Sequence, residues 1–98
     1  MPAPDFTIDH AFFMQGRGLI LVSSAFDRKA TAPVQVCVGD ELEITTKIGA
    51  SIRTTVTGVE MMHGTPLSRY RVGIRVALPD DHGSTLEGAI AQVTKAPQ

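Results

Sequence analysis

The chain has little of what most binding and catalytic classes need. It has one cysteine, Cys37, which excludes an internal disulfide and favours a reducing, cytoplasmic setting. His10, His63 and His82 lie on separate segments without zinc-type Cys/His spacing, so no metal or cofactor is expected. Lys and Arg total 9 against 10 for Asp and Glu, a net charge of −1. No basic field advertises nucleic acid, and any contact with RNA must be local. The start, Met1-Pro2-Ala3-Pro4-Asp5, has neither a basic head nor an apolar h-region, unlike a secretory signal. No apolar run approaches the length of a membrane span. No glycine-rich loop ends in Gly-Lys-Ser or Gly-Lys-Thr, so nothing supplies a phosphate cradle for GTP hydrolysis. No nucleophile stands at a recognisable spacing from a base. The expectation is a soluble, cytoplasmic, non-catalytic protein.

What is present is a succession of short β-type runs separated by turn chemistry. Phe6, Ile8, Phe12 and Met14 alternate with Thr7, Asp9 and Ala11 until Gly16-Arg17-Gly18 turns the chain, which predicts a strand and a tight turn. Leu19 to Val22 reads as the return strand. Residues 23–33 have no period and read as an exposed loop. Val34, Val36 and Val38 alternate, and Gly39-Asp40 turns the chain into Leu42 and Ile44; residues 47–51, with Gly49, form a hairpin connection. Residues 52–62 are β-branched and rich in Thr. His63-Gly64-Thr65-Pro66 is a loop, Val72, Ile74, Val76 and Leu78 alternate as a strand, residues 79–84 are a loop, and residues 89–93 are a closing strand. Helix has little support. At 98 residues the chain is expected to be one domain, 1–98, burying roughly 60 to 65% of its unfolded surface. Its core is expected over about 6–95, with frayed ends at 1–4 and 96–98. Six or seven short strands predict a small closed antiparallel β-barrel.

Four fragments occur in one order: Gly16-Arg17-Gly18, Val38-Gly39-Asp40-Glu41-Leu42-Glu43-Ile44, Arg53-Thr54-Thr55-Val56-Thr57-Gly58-Val59-Glu60-Met61, and Val72-Gly73-Ile74. Together with Gly88 and Lys95-Ala96-Pro97 they resemble the second, β-barrel domain of elongation factor Tu and other translational GTPases, over roughly 6–97. The chain departs from that family in a longer segment between Leu19 and Val38. It also carries Ser68-Arg69-Tyr70-Arg71 before Val72-Gly73-Ile74, and Glu87 where the family has arginine. The resemblance implies a barrel face that holds the terminal adenosine and amino acid of aminoacyl-tRNA. It puts Met14, Gly16 and Ile20 at apolar or close-approach points of that pocket, Phe12 toward the aminoacyl group, and Glu60 where an acid lies beside the adenosine. Glycine lets a ribose approach the backbone and a carboxylate accepts from hydroxyls.

Each of these residues also has an ordinary structural account. Phe12 and Met14 are apolar side chains suited to a core, and Glu60 suits a solvated strand face. Phe12-Phe13-Met14, however, puts large apolar groups on both faces of one strand, and a small barrel buries one. Independently of the family, Arg69, Arg71 and Arg75 share one parity with Gly73, so a regular strand would line its outer face with guanidiniums fit for a phosphate or carboxylate. The plainer account is a solvated face paired with acids. Arg75 also falls where the family pocket is apolar. Cys37 reads as a small buried hydrophobe, Arg17 as a turn residue, and Met61-Met62 as core or a soft contact surface.

The expected function is therefore that of a stand-alone, translation-factor-like β-barrel binding module. The expected partner is RNA, a tRNA acceptor end or a ribosomal element, contacted through Phe12, Met14, Gly16, Ile20, Glu60, Arg71 and Arg75. The alternative is a protein–protein interaction domain, with a partner such as a translation factor docking on the Phe12/Met14 face and the 23–33 loop. No membrane partner is expected.

Overall fold

The computed structural model describes residues 5–26, 34–61, 72–78 and 83–96. Among these, seven strands form one antiparallel sheet: β1 (Asp5–Thr7), β2 (His10–Met14), β3 (Gly18–Val22), β4 (Glu41–Thr45), β5 (Ser51–Met61), β6 (Val72–Val76) and β7 (Ile90–Thr94). The order across the sheet is β1-β7-β4-β5-β6-β3-β2. β5 is the hinge of this arrangement. Its first half pairs with β4 (Glu41 opposite Thr55, Thr45 opposite Ser51) and its second half with β6 (Val56 opposite Val76, Met61 opposite Val72).

The sheet curls into a half-barrel and does not close. The expected closed barrel would need a ladder between β1 and β2, but these lie at opposite edges and come from one continuous segment. The chain crosses between them at Ile8 and Asp9. Ile8 N–H donates to Ala89 O (2.8 Å) beside β7, and Asp9 N–H donates to Val22 O (2.9 Å) beside β3. The single strand expected over Phe6 to Met14 is for that reason split into two. The seam is filled by packing: α1 (Gly83–Leu86), one turn where a loop was expected, lies against β2, and Ile8 and Leu86 are fully buried. Helix is limited among the described residues to this turn and a 3-10 turn at Ser24–Phe26.

The core takes alternate residues of each strand, as the pleat requires: Ala11, Leu19, Leu21, Leu42, Ile44, Val56, Ile74, Val76, Ala91 and Val93 form one cluster with Phe6 and Ile8. Phe6 meets Phe26 edge to face with centroids 4.8 Å apart, a favoured aromatic geometry.

Residues 34–38 are not a strand, although the three valines alternate. Their backbone groups are engaged elsewhere. Val34 N–H donates to Ala25 O (2.9 Å), Gln35 O accepts from Lys95 Nζ (2.5 Å), and Cys37 N–H donates to the Asp40 carboxylate (2.9 Å). Cys37 is accordingly exposed, not buried as the alternation implied. Asp40 is the anchor of this corner, with its side chain 3% exposed. Besides Cys37 N–H it accepts from Ala96 N–H (2.9 Å) and Lys95 Nζ (3.0 Å), which ties the end of β7 to the entry of β4. Burial alone would raise the Asp40 pKa, but the Cys37 and Ala96 amides and the Lys95 ammonium outweigh it and hold the carboxyl below its ordinary value. The β3 return strand, the hairpin connection and the three later strands stand where the sequence puts them, with shifted ends: Ser51 already belongs to β5, the strand expected through Leu78 ends at Val76, and the closing strand runs from Ile90 to Thr94. Residues 27–33, 63–66, 79–82, Met62, Arg69 and Arg71 lie outside the described residues.

Candidate functional site on the outer face of β2, β3, β6 and β5

Strand register assembles the outer face from residues far apart in sequence. Phe12 stands opposite Ile20, Ile20 opposite Arg75, and Arg75 opposite Gly58. One step along the strands, His10 stands opposite Val22, Val22 opposite Gly73, and Gly73 opposite Glu60. Ile20 and Val22 have opposite parity to the core residues Leu19 and Leu21, so they face away from the core cluster. Even so, Ile20 is only 1% exposed. Its side chain is therefore covered, and it stands between half-buried Phe12 and Arg75.

A bulge in β5 decides which side chains reach this face. The register shifts between Val56 and Gly58, leaving Thr57 as the extra residue. Up to Val56 the even-numbered residues of β5 point to the core; past the bulge Gly58 and Glu60 are on the outer face with Arg75. In a regular strand Glu60 would point inward.

Glu60 is ion-paired to arginines on both sides. Arg17 Nη1 donates to Glu60 Oε2 at 2.7 Å and Arg75 Nη1 to Glu60 Oε1 at 3.4 Å. The contacts differ in kind. The first is a short charge-assisted bond, but the Arg17 side chain is 56% exposed and this bond is what fixes it. The Arg75 contacts are long, 3.4 Å to Glu60 and 3.5 Å to Thr57 O, near the limit of a hydrogen bond. What holds Arg75 is its seat: a Cβ on Gly58 would lie 2.5 Å from Nη2 and 2.9 Å from Cζ and Nε. The guanidinium therefore occupies the space that a side chain at Gly58 would take. Arg17 is carried by the β2–β3 turn, in which Arg17 N–H donates to Met14 O (2.9 Å) and Gly16 and Gly18 hold φ of 83° and 100°. That left-handed backbone favours glycine on both sides of the arginine.

Of the residues singled out in the sequence, Phe12, Ile20, Glu60 and Arg75 share one face. Met14 is half-buried at its end, opposite Gly18, and Gly16 is in the adjoining turn. Arg71 is outside the described residues. Glu60 is not the solvated residue of the plain account, since its side chain is 15% exposed. Two participants were not foreseen. Arg17 read as a turn residue, and nothing local showed that it reaches a strand 43 positions away. Gly58 read as part of a β-rich run, although a glycine inside such a run is a signal of a bulge or close approach.

A second concavity, about 270 Å³ in volume, is lined chiefly by Phe26, Val34, Val36, Cys37, Val72 and Ile74 on the core side of β6. Among the described residues no group of His, Cys, Asp and Glu is placed to hold a metal ion, and no helix is long and apolar enough to cross a membrane. Comparison of the chain with known protein families, curated proteins and solved structures finds no match.

Proposed function

We propose that this chain is a non-catalytic binding module of the translation-factor second-domain type, and that its outer β2-β3-β6-β5 face takes an RNA end such as a tRNA acceptor end. The observation that supports the reading is the shared row of Phe12, Ile20, Arg75 and Gly58 with Glu60 beside it. A half-buried aromatic ring and a guanidinium on a glycine seat are groups suited to stack a base and hold the backbone next to it. With net charge −1 the general electrostatic attraction that dominates RNA affinity is missing, so binding is weak and confined to this face. An amide NMR titration with a short CCA-ended RNA and an aminoacyl-adenosine analogue, at low and moderate salt, tests it. Shifts confined to Gly16, Gly18, Gly58, Glu60 and the β6 strand are expected; none at millimolar ligand retires the reading.

A protein partner is the second reading, and it is favoured by the edge position of β2, which carries half-buried Phe12 and Met14 on one face and Phe13, 41% exposed, on the other. Salt separates the two, because RNA contacts weaken steeply as salt rises and an apolar protein contact does not.

A further inference from the structure

We infer that Arg17 and Arg75 form a phosphate subsite whose place is taken, in the free protein, by the Glu60 carboxylate. The inference rests on the nucleotide-binding face proposed above and names the chemical group recognised there. It also gives Glu60 a role opposite to the one the family resemblance implies: an internal competitor for the ligand's anion, not an acceptor for its hydroxyls.

The geometry carries this in three ways. First, each Glu60 oxygen faces one arginine, so the carboxylate already occupies the place between the two guanidiniums that a ligand's anion would take. Second, the two cations are unequal. Arg75 is seated on Gly58 and one-third exposed, whereas Arg17 projects from a tight turn and is held at its tip by Glu60. A fixed guanidinium and a movable one make a clamp that can close on a tetrahedral anion, and guanidinium forks match phosphate oxygens. Third, the residue opposite Glu60 on β6 is Gly73, so no β6 side chain stands directly across from the carboxylate.

The charges agree. The cluster of Arg17, Arg75 and Glu60 carries a formal +1, and a phosphate that displaces the carboxylate meets two cations. Phe12 stands two strand spacings from Arg75, about 10 Å, across Ile20. A base stacked on Phe12 thus leaves its own phosphate near the clamp.

The test compares adenosine 5′-monophosphate with adenosine by amide NMR titration at low salt, on the wild type, Glu60→Gln and Arg17→Ala. The wild type should bind the monophosphate more tightly than the nucleoside. Glu60→Gln should tighten the monophosphate about 3- to 10-fold, the effect of removing exposed ion pairs that the ligand otherwise breaks, and leave adenosine unchanged. Arg17→Ala should erase the preference for the monophosphate. Unchanged or weaker monophosphate binding in Glu60→Gln overturns the inference, as does equal binding of the two ligands by the wild type. Should Glu60→Gln not fold, retention of the preference in Arg17→Ala overturns it alone. Nucleoside binding at Phe12 without a phosphate preference sinks the subsite and leaves the RNA reading standing. A phosphate preference with no response to CCA-ended RNA does the reverse.

Discussion

Gly58→Ala should remove the function of the outer face while leaving the fold almost untouched. The added methyl would sit 2.5 Å from Arg75 Nη2, closer than side-chain carbons are found to approach anything. The obstacle is the far end of a flexible side chain, so Arg75 swings away and the backbone stays. Gly58 has no left-handed φ, and alanine adopts its conformation without strain. Two long contacts, to Glu60 and Thr57 O, are lost; the exposed ion pair among them contributes about 0.2–1 kcal/mol. Against this, replacing glycine by alanine at a compatible position stabilises by about 0.4–1 kcal/mol through the unfolded chain. The two nearly cancel, so the net change should lie within about 1 kcal/mol, or roughly 4–8 °C in Tm for a domain of this size. Monophosphate affinity should nevertheless fall about 5-fold or more, the loss of one charge-assisted contact. Urea unfolding and the NMR titration on the same samples check both halves. Arg75→Ala and the double variant complete a cycle, in which Gly58→Ala should have no further effect on binding once Arg75 is gone. A variant destabilised by 3 kcal/mol or more (about 150-fold in the folding equilibrium), or one that binds the monophosphate as the wild type does, would show that Gly58 is not the seat of Arg75.

Asp40→Ala should cost about 1–3 kcal/mol, because it removes the buried carboxylate that accepts from the part-buried Cys37 and Ala96 amides, and chemical denaturation measures it. The lowered Asp40 pKa gives this a pH signature. The unfolded carboxyl, at its ordinary 3.8, holds more protons than the folded one, so the stabilisation is fully present above about pH 4 and is lost as pH falls through the lower folded value. The wild type should therefore lose stability below pH 4 more steeply than Asp40→Asn, and parallel acid titrations of the two would contradict the assignment. Cys37, exposed at the rim of the β6 cavity, should react with a thiol reagent in the native protein as fast as in urea; protection in the native state would mean that the cavity is covered in solution.

Much of the strand pattern is legible in the sequence because it follows from alternation, and alternation follows from one-sided burial. Residues 72–76 read as a strand for that reason, whereas Leu19 to Val22, buried on both faces, reads as a continuous apolar run. The pattern misleads at Val34, Val36 and Val38, where the alternation is real and two of the valines do pack on the core. Asp40, Lys95 and Ala25 take the backbone groups a ladder would use. Long-range capture of a segment by a side chain leaves no periodic trace. Closure is illegible for a related reason: whether β1 and β2 meet in a ladder depends on where the chain crosses between sheet edges, and the crossing at Ile8 and Asp9 carries neither glycine nor proline, only an aspartate that fits the alternation of the strand around it.

The site is legible in its residues but not in its logic, and the bulge explains why. Read as a regular strand, β5 puts Val56, Gly58 and Glu60 on one face, the face of the core, and an acid there makes no sense. One extra residue, Thr57, reverses the parity, delivers Glu60 to the side on which Arg75 stands and sets the guanidinium on Gly58. Glycine is needed there because any larger residue would fill the seat. The distance from Gly58 to Glu60 then matches the step along β6 from Arg75 to Gly73, so the carboxylate faces a glycine and not a side chain. A bulge that served only to bend the sheet would have no reason to place glycines diagonally across both strands. Here the seated Arg75 and the Glu60 carboxylate each stand opposite a glycine, which is the arrangement the proposed phosphate clamp uses.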